Sequence, residues 1–378
     1  MTSLTSPNLP RLNLPRLNSS TSNSPNLGAM LDSQGYSRRD FLKFCTAAAS
    51  VMALPASIAP TMAEALAGAK RPSVIWLSFQ ECTGCTEALT RSAAPSIESL
   101  IFNFISLDYH HTLQAASGDA AEHAREQAEE ANAGQYLVLV DGSVPTKAYC
   151  STIAGISNIE MLKTSAAGAA AIINVGTCSA YGGLPMAKPN PTGAVPVGEI
   201  ITDKPIVNVP GCPPMPLAIT GVIAHYLTLG QLPPTDHLGR PLAFFGENIH
   251  DRCYRRPFYD RGQFAESFDD EGARKGWCLY KLGCKAPVTY NACAHLKWNQ
   301  GTSFPIQSGH GCLGCSEPRF WDAGGFYESV ARGRFETGSK LGLAAAGGAA
   351  AGAAAAVLAQ RKKKQLAAEH AEHSKNED

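Results

Sequence analysis

The chain has 378 residues, 44% of them hydrophobic, which is enough for two compact domains with tails. Its 32 Lys and Arg balance 32 Asp and Glu, so no global basic field attracts nucleic acid, and a nucleic-acid partner is excluded. Twelve cysteines need an account, and disulfides, zinc and redox clusters are the competing ones.

Taken in chain order, residues 1 to about 35 are rich in Ser, Asn, Pro and Leu without a usable period, the composition of an unfolded extension. Ser37-Arg38-Arg39-Asp40-Phe41-Leu42-Lys43 then precedes an apolar stretch that runs to about Ile58, with small-residue cleavage sites at Ala65-Leu66-Ala67 or Ala67-Gly68-Ala69. This reads as a twin-arginine signal within a 1–69 leader; the alternative is a basic pair ahead of a core helix. The twin-arginine translocase carries folded cargo, so thiolates can be occupied before they leave the reducing cytoplasm, and Cys45 leaves with the leader. Disulfides, the usual expectation for an exported chain, thereby lose ground.

From Arg71 onward, Pro72–Phe79, Ile101–Tyr109, Tyr136–Asp141, Ala169–Val175 and Ile206–Val209 read as short buried strands. Between them, Thr86–Leu100, Ala120–Ala131, Thr152–Ser165 and Pro216–Leu229 read as helices. Such alternation implies an α/β fold with a parallel sheet covered on both faces and a ligand at the carboxyl ends of its strands. Cys82 and Cys85 follow the first strand, Cys178 the fourth and Cys212 the fifth, so all four are expected at that edge. A lone Cys-x-x-Cys also serves zinc knuckles and thioredoxin-like pairs. Here, however, the distant partners sit in the Gly-rich turns Gly176-Thr177-Cys178 and Pro210-Gly211-Cys212-Pro213-Pro214, whose backbone N–H groups can face cluster sulfurs.

Beyond Gly246 the chain becomes irregular, as expected of a small domain folded around inorganic cores. His250-x-x-Cys253 with Cys278 and Cys284 forms a second ligand set, although a single histidine is as readily a surface residue. Cys293, Cys312 and Cys315 form a third with only three thiolates, which suggests a 3Fe-4S core; Pro305 is where a fourth ligand would be sought. Cys150 belongs to no set and reads as a small buried apolar side chain. Glu81 and Glu87 are candidates for proton relay or for contact with a large subunit, though acids near a helix start also complement its dipole. His110-His111 reads as a surface pair, and Arg255, Arg256 and Arg261 as a solvated loop or a patch steering a redox partner.

After Arg332-Gly333-Arg334, an uncharged Ala/Gly stretch over about 341–360 has the length of one membrane span and stops at Arg361-Lys362-Lys363-Lys364. Its hydropathy is marginal, but small residues such as Gly348 and Gly352 permit close helix packing, and the basic cluster favours a cytoplasmic C-terminus. A flexible linker is the alternative, and Gln365–Asp378 is charged and unstructured in character.

The motifs Glu81-Cys82-Thr83-Gly84-Cys85-Thr86-Glu87, Gly176-Thr177-Cys178, Pro189-Asn190-Pro191-Thr192-Gly193, Val209-Pro210-Gly211-Cys212-Pro213, His250-x-x-Cys253 and Gly309-His310-Gly311-Cys312-x-x-Cys315-Ser316-Glu317-Pro318 carry a specific likeness. From about Ser73 to Phe326 the chain resembles the small, electron-transfer subunit of nickel-iron uptake hydrogenases. The resemblance implies a flavodoxin-like domain over 70–245 and an iron-sulfur domain over 246–335; the tail beyond it, 336–378, reads from its own composition as a membrane-anchor region with a C-terminal transmembrane helix. It implies a proximal 4Fe-4S cluster on Cys82, Cys85, Cys178 and Cys212, and a distal 4Fe-4S cluster on His250, Cys253, Cys278 and Cys284. A medial 3Fe-4S cluster would sit on Cys293, Cys312 and Cys315. The nickel-iron centre is expected in a large subunit, joined as a heterodimer or a dimer of heterodimers. A membrane cytochrome b or quinone-linked subunit is the expected acceptor, on the periplasmic side of the cell membrane. Oxygen-tolerant members carry extra cysteines where this chain has Gly84 and Gly183, which implies a four-cysteine proximal cluster and an enzyme that oxygen inactivates. Two alternatives stand beside this reading: a respiratory complex I type quinone-reductase subunit and a zinc-stabilised exported binding module.

Overall fold

The computed structural model describes residues 71–328 apart from 94 and 323–325, together with scattered positions between 42 and 60. Five parallel strands form the central sheet: β1 Ser73–Ser78, β2 Ser106–His110, β3 Leu137–Asp141, β4 Ala171–Val175 and β5 Ile206–Val209. Their order is β2-β1-β3-β4-β5, the doubly wound order of flavodoxin-like sheets. Alternate residues serve opposite faces. Val74, Trp76, Leu137, Leu139 and Ile173 enter one core, and Ile75, Leu77, Val138, Val140 and Ile172 the other. Near-continuous apolar strands result from this double coverage.

The main helices are α1 Gly84–Thr90, α2 Asp119–Ala131, α3 Asn158–Ala167, α4 Thr177–Tyr181 and α5 Pro216–Leu229. α5 begins with Pro216, whose fixed φ suits a first turn, and ends at Gly230 in the left-handed region (φ 68). Three expected boundaries move. The expected helix over Thr86–Leu100 is realised only as Gly84–Thr90, with a separate short turn at Ile97–Ser99. The apolar run from Ile101 splits into a π-helical turn over Leu100–Phe104 and a strand that starts only at Ser106. The expected helix over Thr152–Ser165 gives its first turn to a small hairpin, Thr152–Ile153 against Ile156–Ser157, and starts at Asn158.

Beyond α5 no described helix exceeds five residues, and short turns are tied by single bridges such as Asn248 to Tyr290 and Phe264 to Cys278. This region is not an independent ball. One contiguous apolar cluster runs from the sheet face through Ile219, Phe244 and Ile249 to Leu279, Phe304 and Ile306.

The expected C-terminal transmembrane helix is corrected. Among the described residues no helix is long and apolar enough to cross a membrane, the longest being the 14 residues of α5, and the segment 341–360 lies outside the described residues. Length had carried that expectation, whereas alanine adds little to insertion and glycine opposes it. The fold is α/β, a parallel-sheet unit with an irregular C-terminal region. The paired arginines Arg38 and Arg39 and the cleavage sites also lie outside the described residues.

Candidate functional site

Ser78, Asp141, Val175 and Val209 stand in one row of register, so β1, β3, β4 and β5 end flush. At neighbouring strand spacings of roughly 4.8 Å, the turns that follow leave from a line only about 14 Å long. Those turns carry Cys82 and Cys85 after β1, Cys178 after β4 and Cys212 after β5. Burial pushes the Cys85 thiol well above its ordinary pKa, and Asp141, Cys178, Cys212 and Cys82 push the same way, which places all four thiols in one neighbourhood. Thr83, between the paired cysteines, holds a left-handed backbone (φ 62), a conformation a non-glycine residue adopts only where its surroundings enforce it.

Glycines let the backbone reach these thiols. A Cβ on Gly176 (φ 94) would stand 2.5 Å from Cys85 Sγ, and one on Gly183 (φ 50) 2.7 Å from Cys178 Sγ. Beside them is an unpaired polar pocket. Both carboxylate oxygens of the buried Asp141 lack a hydrogen-bond partner, with the Ser78 hydroxyl and Trp76 indole N–H nearby but out of bonding geometry. Burial first, then the charge of Glu81, raises the Asp141 pKa to about 7. Glu81 Oε2 is also buried without a partner, whereas Glu87 pairs with Arg91 across an exposed helix turn at 2.6 Å.

In the second set, His250, Cys253, Cys278 and Cys284 are all buried. Burial raises the Cys278 thiol to about 11, with Cys284 and Cys253 adding to the shift. His250 packs edge-on against Tyr259 at 4.5 Å, and its Nε2 is buried without a partner. A buried imidazole nitrogen left without a partner suits a metal ligand and not a surface histidine. Arg255 is buried beside this set, donating to Trp277 O and to Tyr254 Oη, each at 2.8 Å, so it is no solvated loop residue; Arg256 alone keeps the exposed pairing expected of one.

The third set lines a cavity of about 430 Å³ that Cys293, Cys312, Cys315, Cys212 and Pro305 share. Burial takes the Cys293 thiol to about 12, with Cys315 contributing. Pro305 therefore faces the space where a fourth thiolate would stand.

The sets adjoin in an order that differs from their order in the chain. Cys212 and Cys315 line the same cavity, and Cys315 helps to raise the Cys212 thiol, joining set one to set three. The Cys312 backbone N–H donates to Cys284 Sγ at 3.2 Å, joining set three to set two.

Every described cysteine is a free thiol, which removes the disulfide account for them. Tetrahedral zinc at about 2.3 Å from each sulfur would hold its sulfurs about 3.8 Å apart. Yet among the described residues no three His, Cys, Asp or Glu side chains converge closely enough for one metal ion. Thiols spread around a volume, buried in the second set and more open in the first, suit a larger inorganic core than a single ion.

Sequence reasoning missed two buried side chains near the first set. His110 is fully buried at the end of β2, its ring tilted against Trp76 at 4.9 Å and bonded through Nε2 to the Thr86 hydroxyl at 3.2 Å, where a surface residue was expected. Thr177, also buried, had no signal beyond its place before Cys178. Cys150 stands outside all three sets, partly exposed instead of buried.

A doubly wound sheet whose carboxyl edge opens onto consecutive sets of free thiols is the architecture of an iron-sulfur electron carrier. Residues 82–226 match the family described as NADH ubiquinone oxidoreductase, 20 Kd subunit, and residues 245–328 match the C-terminal family of the NiFe/NiFeSe hydrogenase small subunit. The chain is 50% identical over 300 residues to the uptake hydrogenase small subunit of Azotobacter vinelandii, covering 79% of this chain and 84% of that one. It is 49% identical over 319 residues to the hydrogenase-1 small chain of Escherichia coli K12, covering 82% and 86%. Among solved structures, the NiFeSe hydrogenase of Desulfovibrio vulgaris Hildenborough superposes with a TM-score of 0.65 at 37% identity, covering 69% of this chain and 99% of that one. The chain belongs to the small-subunit family of nickel-iron hydrogenases. It is an electron-transfer subunit of a heteromeric oxidoreductase; members of this family carry iron-sulfur clusters and pair with a large subunit that holds the nickel-iron centre.

Proposed function

We propose that this protein conducts electrons one at a time through three clusters, held in the order first set, third set, second set. Cys82, Cys85, Cys178 and Cys212 would hold a proximal 4Fe-4S cluster, and Cys293, Cys312 and Cys315 a medial 3Fe-4S cluster. His250, Cys253, Cys278 and Cys284 would hold a distal 4Fe-4S cluster. When bound, these groups supply reversible one-electron redox chemistry. The chain's own work is to hold the ligands apart, exclude water from the thiols and aim backbone N–H groups at sulfur, as at Cys284 and Cys312. The observation that carries the reading is the pair of junctions, Cys212 to Cys315 and Cys312 to Cys284, which make three separate ligand sets one continuous path.

The same reading places the protein on the periplasmic side after twin-arginine export, with a cytochrome b or quinone-linked acceptor taking electrons from the distal end. Domain limits at 70–245 and 246–335 agree with the change from periodic to irregular structure after α5. Glycine at positions 84 and 183 leaves four cysteines for the proximal cluster and supports inactivation by oxygen. A complex I type subunit has the family match over residues 82–226 in its favour, but that reading leaves the second and third sets without a purpose.

Iron and acid-labile sulfide analysis with an electron paramagnetic resonance titration of the purified heterodimer tests the assignment. Three separately titrating clusters are expected, one with the signal of an oxidised 3Fe-4S core. Stoichiometric zinc without sulfide would sink it.

A further inference from the structure

Three hydrogen bonds meet at one buried residue between the first and third sets, two of them at its side chain. Thr177 is 1% exposed and opens α4 immediately before Cys178. Its backbone N–H donates to Gly211 O at 2.9 Å, and its Oγ1 accepts from Gly211 N–H at 2.9 Å, so both backbone groups of the residue before Cys212 are bound to it. The hydroxyl proton goes to Cys315 O at 2.5 Å, across 138 residues of chain. One hydroxyl therefore touches the turn of Cys178, the turn of Cys212 and the third set at once. A threonine or serine can donate one bond and accept another at this point, and valine of nearly the same shape can do neither.

We propose that Thr177 is a positioning residue that fixes the separation of the proximal and medial clusters and thereby sets the rate of the electron step between them. Without the hydroxyl, Gly211 N–H and Cys315 C=O lose the partner they share, and the segment carrying Cys312 and Cys315 loses the hydrogen bond that links it to the turns of Cys178 and Cys212. The distal side is held differently, by Cys312 N–H on Cys284 Sγ and by Lys285 N–H on Cys312 O at 2.8 Å. Thr177 therefore acts on one junction of the path and not on the other.

The inference rests on the three-cluster reading. A wild-type heterodimer without iron and sulfide defeats that reading, whereas the variants below decide the role of Thr177 in a protein that contains its clusters. Thr177→Val, Thr177→Ala and Thr177→Ser are compared in the purified heterodimer for iron and sulfide content, for the spin-spin interaction between proximal and medial signals, and for medial reduction in rapid-freeze samples. Valine and alanine should keep all three clusters, change the proximal-medial splitting and slow medial reduction, while the medial-distal interaction is unchanged. Serine should restore both wild-type values. Unchanged splitting and rate in a fully loaded valine variant overturn the proposal, as does a change that serine fails to restore. Loss of the medial cluster in both valine and alanine variants also overturns it, in favour of a role in assembly alone.

Discussion

Replacing His110 tests whether the buried ring beneath the first ligand turn sets the acid limit of the protein. Thr112 N–H donates to Nδ1 at 3.1 Å, so Nδ1 is unprotonated and Nε2–H faces the Thr86 hydroxyl. Protonation would put a second proton against the Thr112 donor inside a fully buried site. Burial first, then the neighbouring His111, lowers the His110 pKa from 6.5 to about 4. A depressed folded-state pKa means that between those values the unfolded chain binds more protons. Stability from this residue is therefore complete above about pH 6.5 and is lost as pH falls, levelling off below about 4. The linkage amounts to about 2 kcal/mol by pH 5 and about 3 kcal/mol below pH 4. At a urea slope of roughly 2–3 kcal/mol per molar, the midpoint should fall by about 0.7–1 M between pH 8 and pH 5 on this account alone. The assay is urea-induced loss of the visible cluster absorbance of the heterodimer at both pH values, for wild type and His110→Gln. Glutamine can accept from Thr112 and donate to Thr86 without titrating, so the variant's midpoint should depend less on pH by that amount. Parallel pH dependence in the two proteins would refute the argument.

Arg240→Met should destabilise the protein by about 3–5 kcal/mol, read as a lower urea midpoint. Arg240 is 2% exposed, pairs with Asp236 and Glu317 at 2.8 Å each, and lies over the Tyr290 ring; its loss leaves two carboxylates unpaired, one of them two residues past Cys315. Gly84→Cys should assemble with normal iron content, since its Cβ would meet only Cys82 Sγ, at 3.2 Å, and Pro213 Cβ, at 4.0 Å. Gly183→Cys should lower the iron content of the first set, because its Cβ would fall 2.8 Å from Cys178 Cα on a backbone with φ 50. Ile173→Ala, at a fully buried position of β4, should cost about 2–5 kcal/mol by the same denaturation assay.

Much of the sheet was legible because its strands are short, mostly apolar and bounded by breakers, and α5 was legible to both ends because proline and glycine mark them. The failures have specific causes. Leu100–Phe104 is as apolar as a strand, and a short apolar run does not declare whether it is helical or extended. The hairpin at 152–157 turns on Ala154 and Gly155, both at positive φ, and alanine hides a turn that asparagine or aspartate would have announced. His110 and His111 do point opposite ways, but both sides of the sheet edge are covered. His110 meets Thr86, and His111 takes the Ser78 N–H at 3.3 Å and faces the Tyr109 hydroxyl at 3.0 Å. The cysteine sets were legible by spacing, whereas Thr177 and Arg240 bind partners far along the chain, which no local pattern reveals.

The path order could not be read from spacing either, since the chain supplies its sets as first, second, third and the fold joins them as first, third, second. The segment around Cys312 and Cys315 is therefore synthesised last, after the ligands of the two sets it joins. Its ties reach back 138 residues to Thr177 and 28 residues to Cys284. Contacts of such separation close late in folding, because each must overcome the entropy of a long loop. Until residue 315 is in place, the first and second sets have no third set between them. A chain exported in an extended state would meet an oxidising compartment with eleven ligand-set residues uncovered, ten of them thiols prone to wrong pairing. Completion of the fold before export avoids that exposure, and the twin-arginine route proposed above is of the kind that would permit it.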